Sequence, residues 1–411
     1  MEMERTIVAP AVLAGFCLWG KLDAWYISKT PYEPVPIPTN PKYTSKDVSL
    51  VVCTIGPVEN FAECLQSWLA NDPLEIIFIT IDSYLDEIKT VLEKTQDTLN
   101  ISDEQRISMK LLSVEGVGRR RQSVKGYNAA RGSIIASVDD HILWPKDFLP
   151  LMLAGFEEPG VGGVAPICGL YMSPERQDDK VVTPWEAVGA RALWKGKSRY
   201  KAVYATCGWS WVLAGMTSFY RAAILQDANF QKEFLNDYWF GKGPLDAHDD
   251  GCITRWALRK DWKMCVQNAG PDTEVRRTVK RTDAFLAQYF RWERGSIQSH
   301  WIYAFTVPQV WRNPYVAFKT LERMARPLTT TVHIIAWLVS WIYYPRATAL
   351  LAFYYVFSSA PSHAAFLGEH PYMWRHLWAL FLVDYFYVIQ DYYCWATIND
   401  IRWGGRKIKG E

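Results

Sequence analysis

Four strand-length runs rich in apolar residues constrain this chain most: Val48–Ile55, Leu74–Ile81, Ile107–Val114 and Ser133–Val138. Segments of helical spacing separate them. In Glu59–Ala70, for example, Phe61, Cys64, Leu65 and Trp68 share one face; Tyr84–Thr95 and Arg119–Arg131 read the same way. Near-continuous apolar strands are buried on both faces, so the alternation predicts a parallel sheet with helices on both sides. Ligands on such sheets bind beyond the carboxyl ends of the strands. The residues that follow each strand are therefore the first place to look for chemistry.

Composition narrows the class. Of 411 residues, 49% are hydrophobic and 21% charged, which excludes a disordered chain. Lys+Arg 45 against Asp+Glu 43 gives a net charge of +2, with no electrostatic case for a nucleic-acid partner. The eight cysteines are scattered, without a CxxC pair, so neither a zinc ribbon nor a disulfide framework is expected. Apolar residues also cluster outside the alternating region, in Ile7–Trp19, Leu328–Tyr344, Ala347–Leu367 and Leu377–Ala396. These predict a membrane anchor over 1–27 and about three transmembrane helices over 328–398. Between them lie a Pro-rich linker (28–46), an α/β domain (47–312) and an amphipathic interfacial helix (313–327) with Phe318, Leu321 and Met324 opposite Lys319, Arg323 and Arg326. A basic tail (399–411) carries Arg402, Arg406, Lys407 and Lys409, whose charge prefers the cytosol and conflicts with an odd number of later spans.

Acidic residues stand at three strand ends or turns: Asp82, Asp139-Asp140-His141, and His248-Asp249-Asp250-Gly251 ahead of a helical run. One such acid means little, since turns favour Asp. Three on one rim suit a cation bridging a diphosphate and a carboxylate that takes a hydroxyl proton. Gln288-Tyr289-Phe290-Arg291-Trp292 fits a QxxRW pattern, with Gln288, Arg291 and Trp292 on one helix face. Arg brings a bidentate fork for phosphate, and Trp a flat surface for a sugar ring.

Taken together these motifs resemble a family 2 inverting glycosyltransferase of the membrane-embedded synthase type, the group of cellulose, chitin and hyaluronan synthases. The nearest resemblance is to the fungal capsule-synthase-like branch, through Leu213–Arg221, Phe234–Gly241, Asp249–Trp256 and Gln288–Trp292. The resemblance implies a GT-A-type (Rossmann-like) nucleotide-sugar domain with flanking transmembrane helices. It implies Thr54 and Asp82 at the base and ribose of a UDP-sugar, and Arg119 and Arg120 at its phosphates. Asp139 and His141 would take the metal positions for Mn²⁺ or Mg²⁺, with Asp140 as an alternative participant. Asp250 would be the general base beside Asp249. Gln288, Arg291 and Trp292 would hold the diphosphate and, with Gly215, the acceptor end. Three positions depart from the pattern: His141 stands where a carboxylate is common, His248 where an Asp is usual, and Gly251 where Asn is common.

The expected activity is transfer from a UDP-sugar to a growing β-linked surface or cell-wall polysaccharide. The expected setting is a multi-pass plasma-membrane protein with a cytosolic catalytic domain, open to homo-oligomers. Two alternatives stay open: single transfer to a lipid or lipid-linked acceptor, and an inactive membrane scaffold, for which His141 and His248 speak.

Overall fold

The computed structural model describes residues 8–56, 58–245 and 248–400. Most of the expected basic tail, with Arg402, Arg406, Lys407 and Lys409, lies outside the described residues, as do Ala247 and residues 1–7.

Nine strands form the sheet: β1 (Val48–Cys53), β2 (Glu75–Ile81), β3 (Met109–Val114), β4 (Ile134–Asp139), β5 (Ile142–Leu143), β6 (Val161–Leu170), β7 (Thr217–Arg221), β8 (Lys263–Gln267) and β9 (Glu274–Arg277). Their order is β3-β2-β1-β4-β7-β6-β9-β5, with β8 paired to β6. The first four strands are parallel, as their apolar runs predict. Register sets Cys53 opposite Asp139, so the ends of β1 and β4 open onto one rim. Successive residues of β1 point to opposite faces. Leu50 and Val52 join Trp68, Phe78 and Phe148, whereas Val51 and Cys53 join Tyr127 and Tyr220.

The sheet is mixed rather than wholly parallel, which corrects the expectation. β7 runs antiparallel to both β4 and β6 and closes the rim with the segment Leu213–Met216 just before it. β7 is five residues long, and β6 carries glycines and a proline, so neither reads as a buried parallel strand.

The helix Ala284–Thr306 crosses the open side of this rim. Outside it pack the N-terminal helix Val8–Lys29 and the helices after residue 313. Phe16 stacks on His333 at 4.7 Å, and Asp23 receives Tyr315 Oη at 3.0 Å and Lys319 at 3.3 Å. The basic face expected to meet lipid headgroups therefore turns to protein carboxylates: Lys319 to Asp23 and Glu322, Arg323 to Glu293, Arg326 to Asp391.

Among the described residues, no helix is long and apolar enough to cross a membrane. The expected spans are helical, and two of them are divided. Residues 347–367 fall into Pro345–Ser358 and Ala360–Glu369, and residues 377–396 into Leu377–Tyr385 and Tyr387–Ala396. Pro345 sits in the first turn of one helix and Pro361 in that of the next; neither can continue a preceding helix. A 14-residue helix reaches about 21 Å, against a hydrocarbon core of about 30 Å. The longer helices carry charge, Lys21 and Asp23 in one and Arg326 in the other.

The helix Arg119–Ala129 lies on the sheet through a glycine. A Cβ on Gly126 would sit 2.6 Å from Ile79 Cδ1 and would also overlap Val51. Gly126→Ala gains about 1 kcal/mol of helix propensity but overpacks this contact at about 1–3 kcal/mol. A lowered denaturation midpoint is expected in chemical unfolding; an unchanged or raised one would show that the helix shifts without penalty.

Candidate active site

A cavity of about 1120 Å³ opens where the carboxyl ends of β1 and β4 face the helix Ala284–Thr306. Its wall includes Thr54, Arg119, Asp139, Asp140, His141, Gly215, His248, Asp249, Asp250, Gln288, Arg291 and Trp292. Residues separated by up to 238 positions in the chain thus share one chamber. Two expected site residues do not line it. Asp82 lies exposed at the end of β2. Arg120 is buried behind the wall, with 1% of its surface exposed.

The wall is organised by ion pairs. Arg119 Nη2 reaches Asp139 Oδ1 at 2.7 Å, and its Nε lies 3.5 Å from Asp249 Oδ2. Burial works against the Arg119 cation, but Asp139 and Asp249 hold its pKa well above the ordinary value. The two carboxylates come from different elements, the end of β4 and the start of the helix Asp249–Arg259, and one guanidinium spans them. Asp249 is thus the charge partner of Arg119.

Asp140 faces inward. Thr54 Oγ1 donates to its Oδ2 at 2.7 Å, and His141 Nδ1 lies 3.0 Å from its Oδ1. His141 Nδ1 thus faces the Asp140 carboxylate, which leaves Nε2 as its outer nitrogen. Asp140 therefore orients Thr54 and His141.

Asp250 is held by backbone donors. Gly215 N–H reaches Oδ2 at 3.0 Å and Gly251 N–H reaches Oδ1 at 2.8 Å. Burial raises the Asp250 pKa above the carboxylate range, against the opposing pull of His248 and these two N–H groups. A carboxylate made more basic in this way is a better proton acceptor near neutral pH.

On the facing helix, burial pushes the Arg291 guanidinium below its ordinary value, while Asp249, Asp139 and Asp250 pull the other way. Arg291 thus feels all three carboxylates. Arg277 sits 5.2 Å from the Trp292 ring centre, a cation–π contact that fixes the indole. Arg277, Lys280 and Arg281 line the cavity and were not singled out from sequence. The signal was available in the basic run Arg276-Arg277-Thr278-Val279-Lys280-Arg281, which lies just before the QxxRW helix.

A mixed sheet with a strand-end carboxylate site and a cradle for an anionic leaving group defines a GT-A-like glycosyltransferase fold. Comparison agrees. A mannosyltransferase from Pyrobaculum calidifontis, solved in complex with GDP-Man and Mn²⁺, superposes with a TM-score of 0.59 at 17% identity, covering 93% of this chain and 98% of that one. Residues 45–295 match the family described as Glycosyltransferase like family 2. The NDP-glycosyltransferase ltbB of Aspergillus luteorubrus is 34% identical over 409 residues, covering 96% of this chain and 97% of that protein. A type 2 glycosyltransferase of Gibberella zeae is 27% identical over 393 residues, covering 92% and 72%. The chain belongs to glycosyltransferase family 2 and is a glycosyltransferase.

Arg120 donates to Phe234 O at 2.6 Å, Leu245 O at 2.7 Å and Asp237 Oδ2 at 3.0 Å, and Arg255 holds the other oxygen of Asp237 at 2.8 Å. Removing one member of such a buried pair costs about 3–5 kcal/mol. Arg120→Gln should therefore lower the melting temperature and leave the KM for donor in the folded fraction unchanged. Arg119→Gln should lower the melting temperature too, since it also breaks partly buried ion pairs, but should in addition raise the donor KM. Calorimetry with donor titration checks both, and a raised donor KM in Arg120→Gln at full stability would return that residue to the phosphate site.

Proposed function

We propose that the protein transfers a sugar from a UDP-sugar to an acceptor hydroxyl with inversion, making a β-linked product. The observation that carries this reading is the single chamber in which Asp250, Asp139, Arg291 and Trp292 meet. Asp250 takes the proton of the acceptor hydroxyl as that oxygen attacks the anomeric carbon from the face opposite the diphosphate. Arg291 and Arg119 face the leaving diphosphate with fixed positive charge, and Trp292 stacks against the acceptor sugar, with Gly215 backing Asp250.

Asp139 and the outer nitrogen of His141 would hold a divalent cation, a carboxylate oxygen and an imidazole nitrogen being donor types such an ion accepts. Among the described residues no cluster of three or more His, Cys, Asp or Glu side chains is arranged to hold a metal alone, so the donor would complete the site. When bound, the ion supplies charge neutralisation for the departing diphosphate.

Repeated addition to a surface glycan is the reading that the Gln288–Trp292 helix supports, since an aromatic beside the acceptor position can retain a product chain. Single transfer to a lipid-linked acceptor is the second reading. It is favoured by the cavity lining, which runs from Cys53 to His300 and, among the described residues, includes none from the C-terminal helices. Both readings place the enzyme at a bilayer. The helices after residue 326 expose the apolar side chains Leu338, Ile342, Leu350, Phe353, Leu382 and Ile389. Helices too short to span can lie in the interfacial plane and bind through such a face.

Asp250→Asn should lower kcat by about 10²–10⁴-fold, with donor binding retained. The measurement is UDP release from a panel of UDP-sugars, with product sizing and the anomeric configuration read by NMR. Turnover at the wild-type rate would remove Asp250 from the chemistry, and an α-linked product would overturn inversion. For the membrane reading, Leu350→Ser with Phe353→Ser should reduce co-flotation with liposomes at unchanged melting temperature; unaltered flotation would exclude this face.

A further inference from the structure

We infer that His248 is the positioning residue of the general base, holding the Asp250 carboxylate in the orientation that meets the acceptor hydroxyl. The inference rests on Asp250 being that base.

His248 is the residue just before the helix Asp249–Arg259, and its Nδ1 lies 3.3 Å from Asp250 Oδ1. With the N–H groups of Gly215 and Gly251, it is the third group directed at one carboxylate, and the only one of the three that is a side chain. The chain makes room for this ring. A methyl group on Gly251 would overlap His248 Nε2, and one on Gly295 would come within 3.1 Å of His248 Cβ and 3.3 Å of Cγ. Both glycines lie inside helices, where glycine costs up to about 1 kcal/mol relative to alanine. Two glycines on two different helices flank one imidazole. The space they leave is shaped for it.

Burial favours the neutral form of the ring, and charges of both signs surround it. Arg255 and Asp249 lie on its own helix, Arg120 Nη2 reaches the His248 carbonyl at 3.4 Å, and Asp237 sits between the two arginines. Arg291 and His300 face the group from the helix Ala284–Thr306. Burial lowers the His248 pKa, with Arg255 and Arg120 adding to it and Asp250 and Asp249 opposing. With Nδ1 3.3 Å from Asp250 Oδ1, a neutral ring carrying its proton on that nitrogen sets a polar N–H donor beside the carboxylate. That donor stabilises the charged form of the base, so its loss makes Asp250 protonate at a higher pH. The acid limb of activity, where the base is lost as pH falls, then moves upward.

The test is the pH profile of kcat/KM for His248→Ala, His248→Asn and Gly251→Ala. His248→Ala should lower kcat at neutral pH about tenfold, leave the donor KM within about twofold, and move the acid limb up by about one pH unit. His248→Asn, which keeps an N–H near the same place, should recover most of the rate. Gly251→Ala, by displacing the ring, should reproduce the His248→Ala profile and add nothing to it in the double variant. If His248→Ala does not fold, the other two single variants carry the same reading. An acid limb that stays at its wild-type position in folded variants overturns the inference. Asp250→Asn separates the two failures: an active Asp250→Asn sinks the base assignment, whereas an inactive one with unmoved His248 profiles sinks only the role of His248.

Discussion

One guanidinium ties the two halves of the site. Arg119 begins the helix after β3, and it joins Asp139 at the end of β4 to Asp249 at the start of a helix more than a hundred residues later. That cation holds the end of β4 and the start of the helix Asp249–Arg259 together. Arg119 and Arg291 both line the chamber, on facing elements.

Asp250 has its own support. Asp250 is fixed from the sheet side by the Gly215 N–H, which belongs to the segment feeding β7, and from its own helix by Gly251. The antiparallel insertion of β7 between β4 and β6 is therefore functional architecture: it carries Gly215 to the rim. On the far side, Glu293 pairs with Arg323, and Gln298 donates to Ile398 O at 2.7 Å, so the Gln288–Trp292 helix is braced by the C-terminal helices. The apolar periphery thus bears on the chamber through this helix although it contributes no lining residue among those described.

Much of this was legible in the chain. The four parallel strands show as apolar runs because strands buried on both faces need no polar residues. The acids at their ends and the Gln288/Arg291/Trp292 spacing show because site residues follow strand ends and share helix faces. Arg120 and Arg119 read alike, since adjacent arginines at a helix start look equally suited to phosphate. Only packing separates them, sending one into a buried pair with Asp237 and the other to the chamber. His248 and Gly251 read as separate departures from a pattern. In three dimensions they are one feature, because the ring occupies the space the glycine leaves.

By itself the sequence determined the fold class, the parallel half of the sheet and most of the residues of the chamber, because periodicity and strand-end chemistry are local and leave their mark within a dozen residues. Tertiary structure alone decided which arginine is structural, that the sheet reverses at β7, and that the aromatic-rich segments fold as short helices packed beside the site. Those outcomes depend on partners distant in the chain, and a linear pattern carries no record of which distant carboxylate a side chain will meet.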